Sequence, residues 1–308
     1  MPELPEVETT KTSLTPLLGQ KITDIKVFQP KLRWAMPDDL DMLVNHVLDS
    51  VERRAKYLIL NFLPVVPSSV SPISTASQTD TVAPIKLLIH LGMSGSLQQL
   101  SDGTDKRKHD HLVIEFSDAD NTKSQLHYYD PRRFGSVLWY KDYGTKLLDH
   151  LGPEPLSEAF TADYLYHFIQ RTSLDNKTGV SKRLQPITRP IKSVIMEQQV
   201  VVGVGNIYAT ESLYLSGIHP ATPAHRLSYE QITVLVGHIK AILQKAIKLG
   251  GSTLRDFTVA DGQTGYFQQT LNVYGRQGEP CLACQTTLEN VKLNGRASVY
   301  CANCQSLI

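Results

Sequence analysis

The sequence predicts a multidomain α+β protein, with a β domain first, a helical domain after it and a short metal-binding β region last. Three observations carry that prediction. At 308 residues the chain exceeds the usual size of one domain. β-rich stretches broken by turn residues fill the first half, whereas from about Leu147 the apolar spacing becomes helical. All four cysteines follow Pro280, as two CxxC pairs.

In chain order, Pro2 to Leu18 opens as a helix. Pro5 suits a first helical turn, Glu3, Glu6 and Glu8 suit the positive end of the helix dipole, and Leu4, Val7, Leu14, Leu17 and Leu18 supply an apolar face. Strands are expected over Lys21 to Phe28, Val47 to Phe62, Ile85 to His90, His111 to Phe116, Leu126 to Tyr129 and Ser136 to Tyr140. Short strands with turn residues between them fit a β-sandwich or a barrel. From Pro64 to Pro84 the chain is rich in Pro, Ser, Thr and Val and nearly uncharged, which reads as a disordered loop inserted into a hairpin. Helices are expected over Ala162 to Gln170, Pro190 to Val202, Tyr208 to Ser216 and Ser228 to Leu249, with Lys177 to Arg183 as a polar loop. The domains expected are 1–146, 147–270 and 271–308.

A hydrophobic share of 41% is enough for a buried core, and no apolar run reaches the roughly 18 residues of a membrane span. The start, MPELPEVETT, lacks the basic and apolar regions of a signal peptide, so a cytoplasmic protein is expected. A net charge of +1 neither demands nor excludes a nucleic-acid partner. Basic residues do gather locally, at Arg53, Arg54 and Lys56, at Lys106, Arg107 and Lys108 before His109, and at Arg132 and Arg133. One such cluster reads equally well as a solvated face; three together with a metal signature favour nucleic acid.

Cys281 and Cys284 are separated from Cys301 and Cys304 by 16 residues, inside the window for structural zinc. Four thiolates complete a tetrahedron around one Zn2+ and leave no open position for catalysis. Pro2 has two readings. It is a common residue at a helix start, or, once Met1 is removed, a secondary amine. An α-amino group titrates near pH 8, so about a tenth is neutral at pH 7, and addition to an aldehyde-like carbon gives an iminium ion. Glu3 beside it is placed to act as acid or base. The glycines of Gly203 to Asn206 permit close backbone approach, and the helix start that follows suits a phosphate.

MPELPEVET, RRAKYL (Arg53 to Leu58), HLGMSG (His90 to Gly95), DPRRFG (Asp130 to Gly135), LGPEPL (Leu151 to Leu156), VVGVGNIYATESL (Val201 to Leu213), GYFQQ, VYGRQGEPC and the cysteine ribbon occur in one order. With these motifs, nearly end to end, the chain closely resembles the formamidopyrimidine-DNA glycosylase family, bacterial enzymes that repair 8-oxoguanine. Only Pro64 to Pro84 and the region around Thr172 to Arg183 depart from the pattern. The resemblance implies an N-terminal β-sandwich with a flanking helix, a helix–two-turns–helix domain, a C-terminal β-hairpin zinc finger, and a monomer acting on double-stranded DNA that contains oxidised or abasic sites.

It also implies residue roles. Pro2 is the Schiff-base nucleophile and Glu3 the proton donor near the deoxyribose. Lys56 donates a proton in β-elimination and touches a phosphate, and Arg296 binds phosphate and serves δ-elimination. His90, His109 and Asn206 look like DNA-backbone contacts, with Arg189 and Lys192 as further basic residues. Met93, Arg132 and Phe134 resemble the wedge that fills the gap left by a flipped base, although Met and Phe are equally common in cores. Arg255 to Tyr266 resembles a loop that closes over that base. A sister specificity for oxidised pyrimidines is disfavoured by the leucine of MPELPE and by DPRRFG. The third alternative is a zinc-ribbon DNA binder without catalysis.

Overall fold

The computed structural model describes residues 2–65, 83–172, 185–250 and 271–307. The Pro64 to Pro84 insertion lies mostly outside these residues, and the polar loop at Lys177 to Arg183 and the closing loop at Arg255 to Tyr266 lie wholly outside them. The chain divides into two compact units, one built on Glu6–Asp149 together with Pro2, the other on Glu3–Pro5 together with His150 onward.

In the first unit, eight strands run in the order β5-β7-β6-β1-β2-β3-β4-β8: β1 Lys21–Val27, β2 His46–Arg54, β3 Tyr57–Pro64, β4 Ile85–His90, β5 Ser96–Ser101, β6 Asp110–Ser117, β7 Lys123–Tyr129 and β8 Ser136–Trp139. β1 and β2 share a single residue pair, Lys21 with Val47, whereas every other neighbouring pair is extensive. The sheet is thus two four-stranded halves hinged at one point. Their inner faces supply one core, with Leu48, Leu60, Phe62, Ile89 and Val137 from one half and Ile22, Ile114, Phe116, Leu126 and Tyr128 from the other. Alternating side chains from two antiparallel layers closing on a shared apolar interior make the sandwich. Helix α1, Leu4–Ser13, adds Val7 to that core, and α2, Tyr140–Leu148, follows β8.

The second unit holds α3 Ala162–Gln170, α4 Ile191–Ile195, α5 Asn206–Leu215 and α6 Tyr229–Lys248, then the β9–β10 hairpin, Glu289–Leu293 with Arg296–Tyr300. Helix α6 buries Ile232, Leu235, Val236, Ile239, Ile242, Leu243 and Ala246, the i, i+3, i+4 stripe of an amphipathic helix. A reciprocal capping box, Ser228 with Gln231, starts it. No helix among the described residues is long and apolar enough to cross a membrane.

Several elements depart from the sequence reading for physical reasons. The stretch Val47 to Phe62 is a hairpin, turned at Ala55 with φ 54° where no glycine announces it. Strand β5 (SLQQLS) escaped notice because its Gln98 is buried by hydrogen bonds instead of by apolar contact, giving to Ser96 and accepting from Arg107. The helix expected over Pro190 to Val202 stops at Ile195. Beyond it the backbone serves the LGPEPL segment: Gln198 O accepts from Gly152 N–H and Val202 N–H gives to Pro153 O.

Candidate functional site

The candidate residues fall into both units. In the first, HLGMSG and DPRRFG form two adjoining turns. Gly92 has φ +65°, and a Cβ there would lie 2.4 Å from the carbonyl carbon of Phe134, so only glycine lets the turns meet. Asp130, fully buried, staples them: its carboxylate accepts from Gly135 N–H at 2.9 Å and from the Ser94 hydroxyl at 2.8 Å. The outer side of the turns carries Met93, 36% exposed, Phe134, 48% exposed, and an exposed Arg132 stacked 5.6 Å from the Phe134 ring. The core alternative for Met93 and Phe134 is therefore excluded.

Beside these turns, His90 ends β4. Burial, then the positive charges of Lys56 and Arg33, hold its pKa down to about 4. The Gly92 N–H donates to His90 Nδ1 at 3.0 Å, so the ring is neutral and its one proton sits on Nε2. Lys56 follows the Ala55 turn and is 8% exposed. His109 is half-buried against the edges of His111 and Tyr129. Its loop is clamped by Arg107, which grips the buried Asp110 from both guanidinium and backbone and reaches Gln98. Burial pushes the Asp110 carboxyl up, but the hydrogen bonds from Arg107 and His127 outweigh it and hold it below the ordinary carboxylate range.

The basic clusters seen in the sequence thus separate into two kinds. Arg107 is committed to Asp110, and Arg53 to Glu8 at 2.5 Å and to Ala55 O. Arg132 remains outward. Sequence spacing could not tell these apart, because the carboxylate partner is distant in one case and buried in the other. Pro2 is buried.

In the second unit, Glu3 is 4% exposed and sits at the start of helix α5. Ile207 N–H donates to Glu3 Oε1 at 3.3 Å, and Leu4 N–H donates to Gly203 O at 3.3 Å. The GVGN glycines make this possible: a Cβ on Gly205 would lie 2.1 Å from the Glu3 carboxyl carbon. The helix terminus that was expected to receive a phosphate receives the Glu3 carboxylate, which the helix dipole favours. Asn206 opens α5, and its buried Oδ1 has no hydrogen-bond partner among the described residues. Tyr274, inside the VYGRQGEPC motif yet not singled out from sequence, feels the charges of both Glu3 and Arg296. Its segment is fixed by Glu211, a fully buried carboxylate on α5 that accepts from the backbone N–H groups of Asn272, Val273 and Tyr274 and from the Asn272 side chain. A charged residue inside the otherwise small and apolar run VVGVGNIYATESL was the available signal.

Arg296 is exposed and begins β10, directly after Asn294-Gly295, whose positive φ values of 46° and 77° make the tight hairpin turn. Lys192 is not on the surface. It is 1% exposed, with its ammonium on Ala297 O at 2.9 Å and Ser298 Oγ at 2.7 Å. Burial pulls its pKa down to about 7, against Glu3, which raises it, and with Arg296, which lowers it. Lys192 and Arg296 line a cavity of about 190 Å3 with Ser193, Met196, Glu197, Leu293 and Asn294. Arg189 is exposed and paired with Glu197.

The four cysteine sulfurs lie within 4.8 Å of one another. Tetrahedral zinc with bonds of about 2.3 Å needs sulfurs about 3.8 Å apart. Three of the pairs stand at 3.4 to 3.9 Å, so the set fits one zinc ion. Matching turns shape the two knuckles: Gln285 N–H gives to Cys281 O and Gln305 N–H to Cys301 O, each at 2.9 Å.

Three family models cover the chain. The formamidopyrimidine-DNA glycosylase N-terminal domain matches residues 1–137, the formamidopyrimidine-DNA glycosylase H2TH domain residues 151–258, and the zinc finger found in FPG and IleRS residues 278–307. The formamidopyrimidine-DNA glycosylase of Psychrobacter arcticus is 71% identical over 310 residues, covering 100% of this chain and 99% of its own, and that of Acinetobacter baylyi is 50% identical with the same coverage. Among solved structures, Lactococcus lactis Fpg in complex with abasic-site-containing DNA aligns with a TM-score of 0.78 at 32% identity, over 99% of this chain and 100% of that one. A complex of MutM with carbocyclic 8-oxo-G containing DNA aligns with 0.78 at 33%, over the same shares.

Proposed function

The chain belongs to the formamidopyrimidine-DNA glycosylase family, DNA glycosylases of repair, and from that premise we propose that it is a bifunctional glycosylase and abasic-site lyase. Its substrate is double-stranded DNA carrying 8-oxoguanine or formamidopyrimidines, and it works as a cytoplasmic monomer with one structural zinc ion. The observation that carries the reading is the Glu3 carboxylate, nearly sealed from water at the start of α5 and one residue from Pro2.

With Met1 removed, the Pro2 nitrogen attacks C1′ of the damaged nucleotide and gives up its proton as the glycosidic bond breaks and the departing base is protonated; protonation of O4′ then opens the C1′–O4′ bond and leaves a ring-opened iminium. The resulting iminium draws electrons toward itself during β- and then δ-elimination, which break the strand on both sides of the sugar. Glu3, beside the nucleophile, is the proton donor to the sugar. Lys56 and Arg296 are cations fit for the phosphates that leave, and a neutral His90 offers its Nε2 proton to the DNA backbone as His109 and Asn206 offer theirs. Met93, Phe134 and Arg132, exposed on a stapled turn, suit a wedge: two apolar groups to fill the stack and a planar donor fork for the opposite base. Flipping the target costs a few kcal/mol, which such a wedge offsets. Zinc, gripped by four thiolates, holds the finger and leaves bond-breaking to these residues.

Incubation with a duplex carrying 8-oxoguanine opposite cytosine tests the proposal. Base release together with strand scission is the expected result, with undamaged duplex left intact. Scission absent on both 8-oxoguanine and abasic duplexes would reduce the activity to base removal at most.

A further inference from the structure

Helix α5 carries Tyr214 one residue before its end, and the phenol oxygen lies 3.2 Å from Cys281 Sγ. The ring packs on the small core of Val273, Cys281, Leu288, Val299 and Cys301. Among the ties that join this helical region to the finger are Lys192 to Ser298, Gln305 Nε2 to Ile218 O, and Tyr214 to Cys281. The last is the one among them that ends on a sulfur. A cysteine holding zinc is a thiolate and has no proton to give, so the hydrogen between the two atoms belongs to the phenol. Hydrogen bonds to an ionised acceptor are the strong ones.

The setting of Cys281 makes that bond irreplaceable. Cys281 is fully buried, so water cannot take over the phenol's place. Cys284 offers the contrast. It is half-exposed, with the Thr286 hydroxyl at 3.4 Å, and solvent can substitute for that donor. We propose that Tyr214 is a positioning residue of the metal site: its phenol donates to the Cys281 thiolate, so that helix α5, and not the four cysteines alone, governs how firmly the finger keeps its zinc. A hydrogen-bond donor beside a ligand sulfur orients that ligand and tunes it for the metal it would hold, the role of outer partners whose loss weakens metal retention.

Tyr214→Phe keeps the ring and removes one oxygen. In the full-length zinc protein, transfer of zinc to excess 4-(2-pyridylazo)resorcinol should become roughly 10- to 100-fold faster, the range typical for losing such a partner. In the cobalt-substituted protein the thiolate-to-cobalt charge-transfer band should move to longer wavelength, because a thiolate without its donor gives up electron density more readily. p-Aminophenylalanine at position 214 restores an N–H donor and should bring both readouts back toward the wild type. Thr286→Val should change release by less than about twofold, since water fills its place. An unchanged release rate for Tyr214→Phe overturns the proposal, as does faster release with an unmoved band, which would make the ring a packing element. Equal effects from Tyr214→Phe and Thr286→Val would overturn the argument from burial. A phenylalanine variant that holds no metal leaves the decision to the p-aminophenylalanine protein: recovery there supports the donor role, and failure refutes it.

Discussion

Two sets of candidate residues, one in each unit, are held in opposite ways. In the first, Met93, Phe134 and Arg132 are exposed, and the groups that order them are buried beneath: Asp130 under the paired turns, with Asp110 clamping the neighbouring His109 loop. In the second, Glu3 and Lys192 are themselves buried, and their surroundings act on them directly, through Gly205, the α5 terminus, Arg296 and the finger strand. Residues that meet a large partner need to protrude yet stay rigid, so the fold spends its buried carboxylates underneath them. A residue that transfers a proton gains from a dry setting, and the burial of Glu3 fits the role proposed for it.

The largest effect should come from the dry side. Gly205 has φ −107°, a backbone any residue adopts, so Gly205→Ala acts by steric overlap with Glu3 alone. Base release should fall by roughly 100-fold or more, the scale of a lost proton donor, while the melting curve moves only a few degrees. Wild-type rates in that variant would mean that the position of Glu3 is not critical. Next comes the staple. Asp130→Ala strands Gly135 N–H and should cost about 2–4 kcal/mol in urea denaturation, as for other buried charge-assisted bonds. A loss under about 0.5 kcal/mol, the range of a surface change, would show that the turns hold without it.

A smaller effect concerns pH. His90 has its pKa lowered from 6.5 to about 4, so the unfolded chain takes the proton first. Its contribution to stability is therefore complete above pH 6.5 and declines as pH falls from 6.5 toward 4. NMR of the imidazole, assigned with His90→Gln, should show a ring that is neutral at pH 6 and titrates near 4; a midpoint near 6.5 would place it in ordinary solvent. The smallest structural effect belongs to Arg132→Ala, with stability within about 0.5 kcal/mol of wild type. Discrimination between opposite bases should drop by about 1–3 kcal/mol, and processing of an abasic site should suffer less. Equal losses on both substrates would assign Arg132 to a phosphate or to the fold.

Much of this was legible in the residues. Cysteine spacing pointed to the zinc knuckles, and the apolar periodicity of Ser228 to Leu249 pointed to α6, which the structure has at Tyr229–Lys248. What escaped has a common cause. Ala55 turns the chain at positive φ without glycine, Glu211 acts through four hydrogen bonds to a segment about 60 residues away, and Arg53 and Arg107 are neutralised by partners no periodicity reveals. Tertiary partners, not local preference, decide each of these. The same holds for GVGN, where the sequence offers a helix terminus and only the fold shows a carboxylate in it.

The measurement that bears most directly on the account is borohydride trapping on a duplex containing 8-oxoguanine opposite cytosine, followed by mass analysis of the DNA-linked peptide. Reduction of the iminium should join protein to DNA through Pro2, in a peptide that lacks Met1. Glu3→Gln should retain much of the DNA affinity while slowing base removal and hence trapping. A crosslink at Lys56 would contradict the assignment of Pro2, and the absence of any crosslink on 8-oxoguanine and abasic duplexes alike would contradict the covalent mechanism itself.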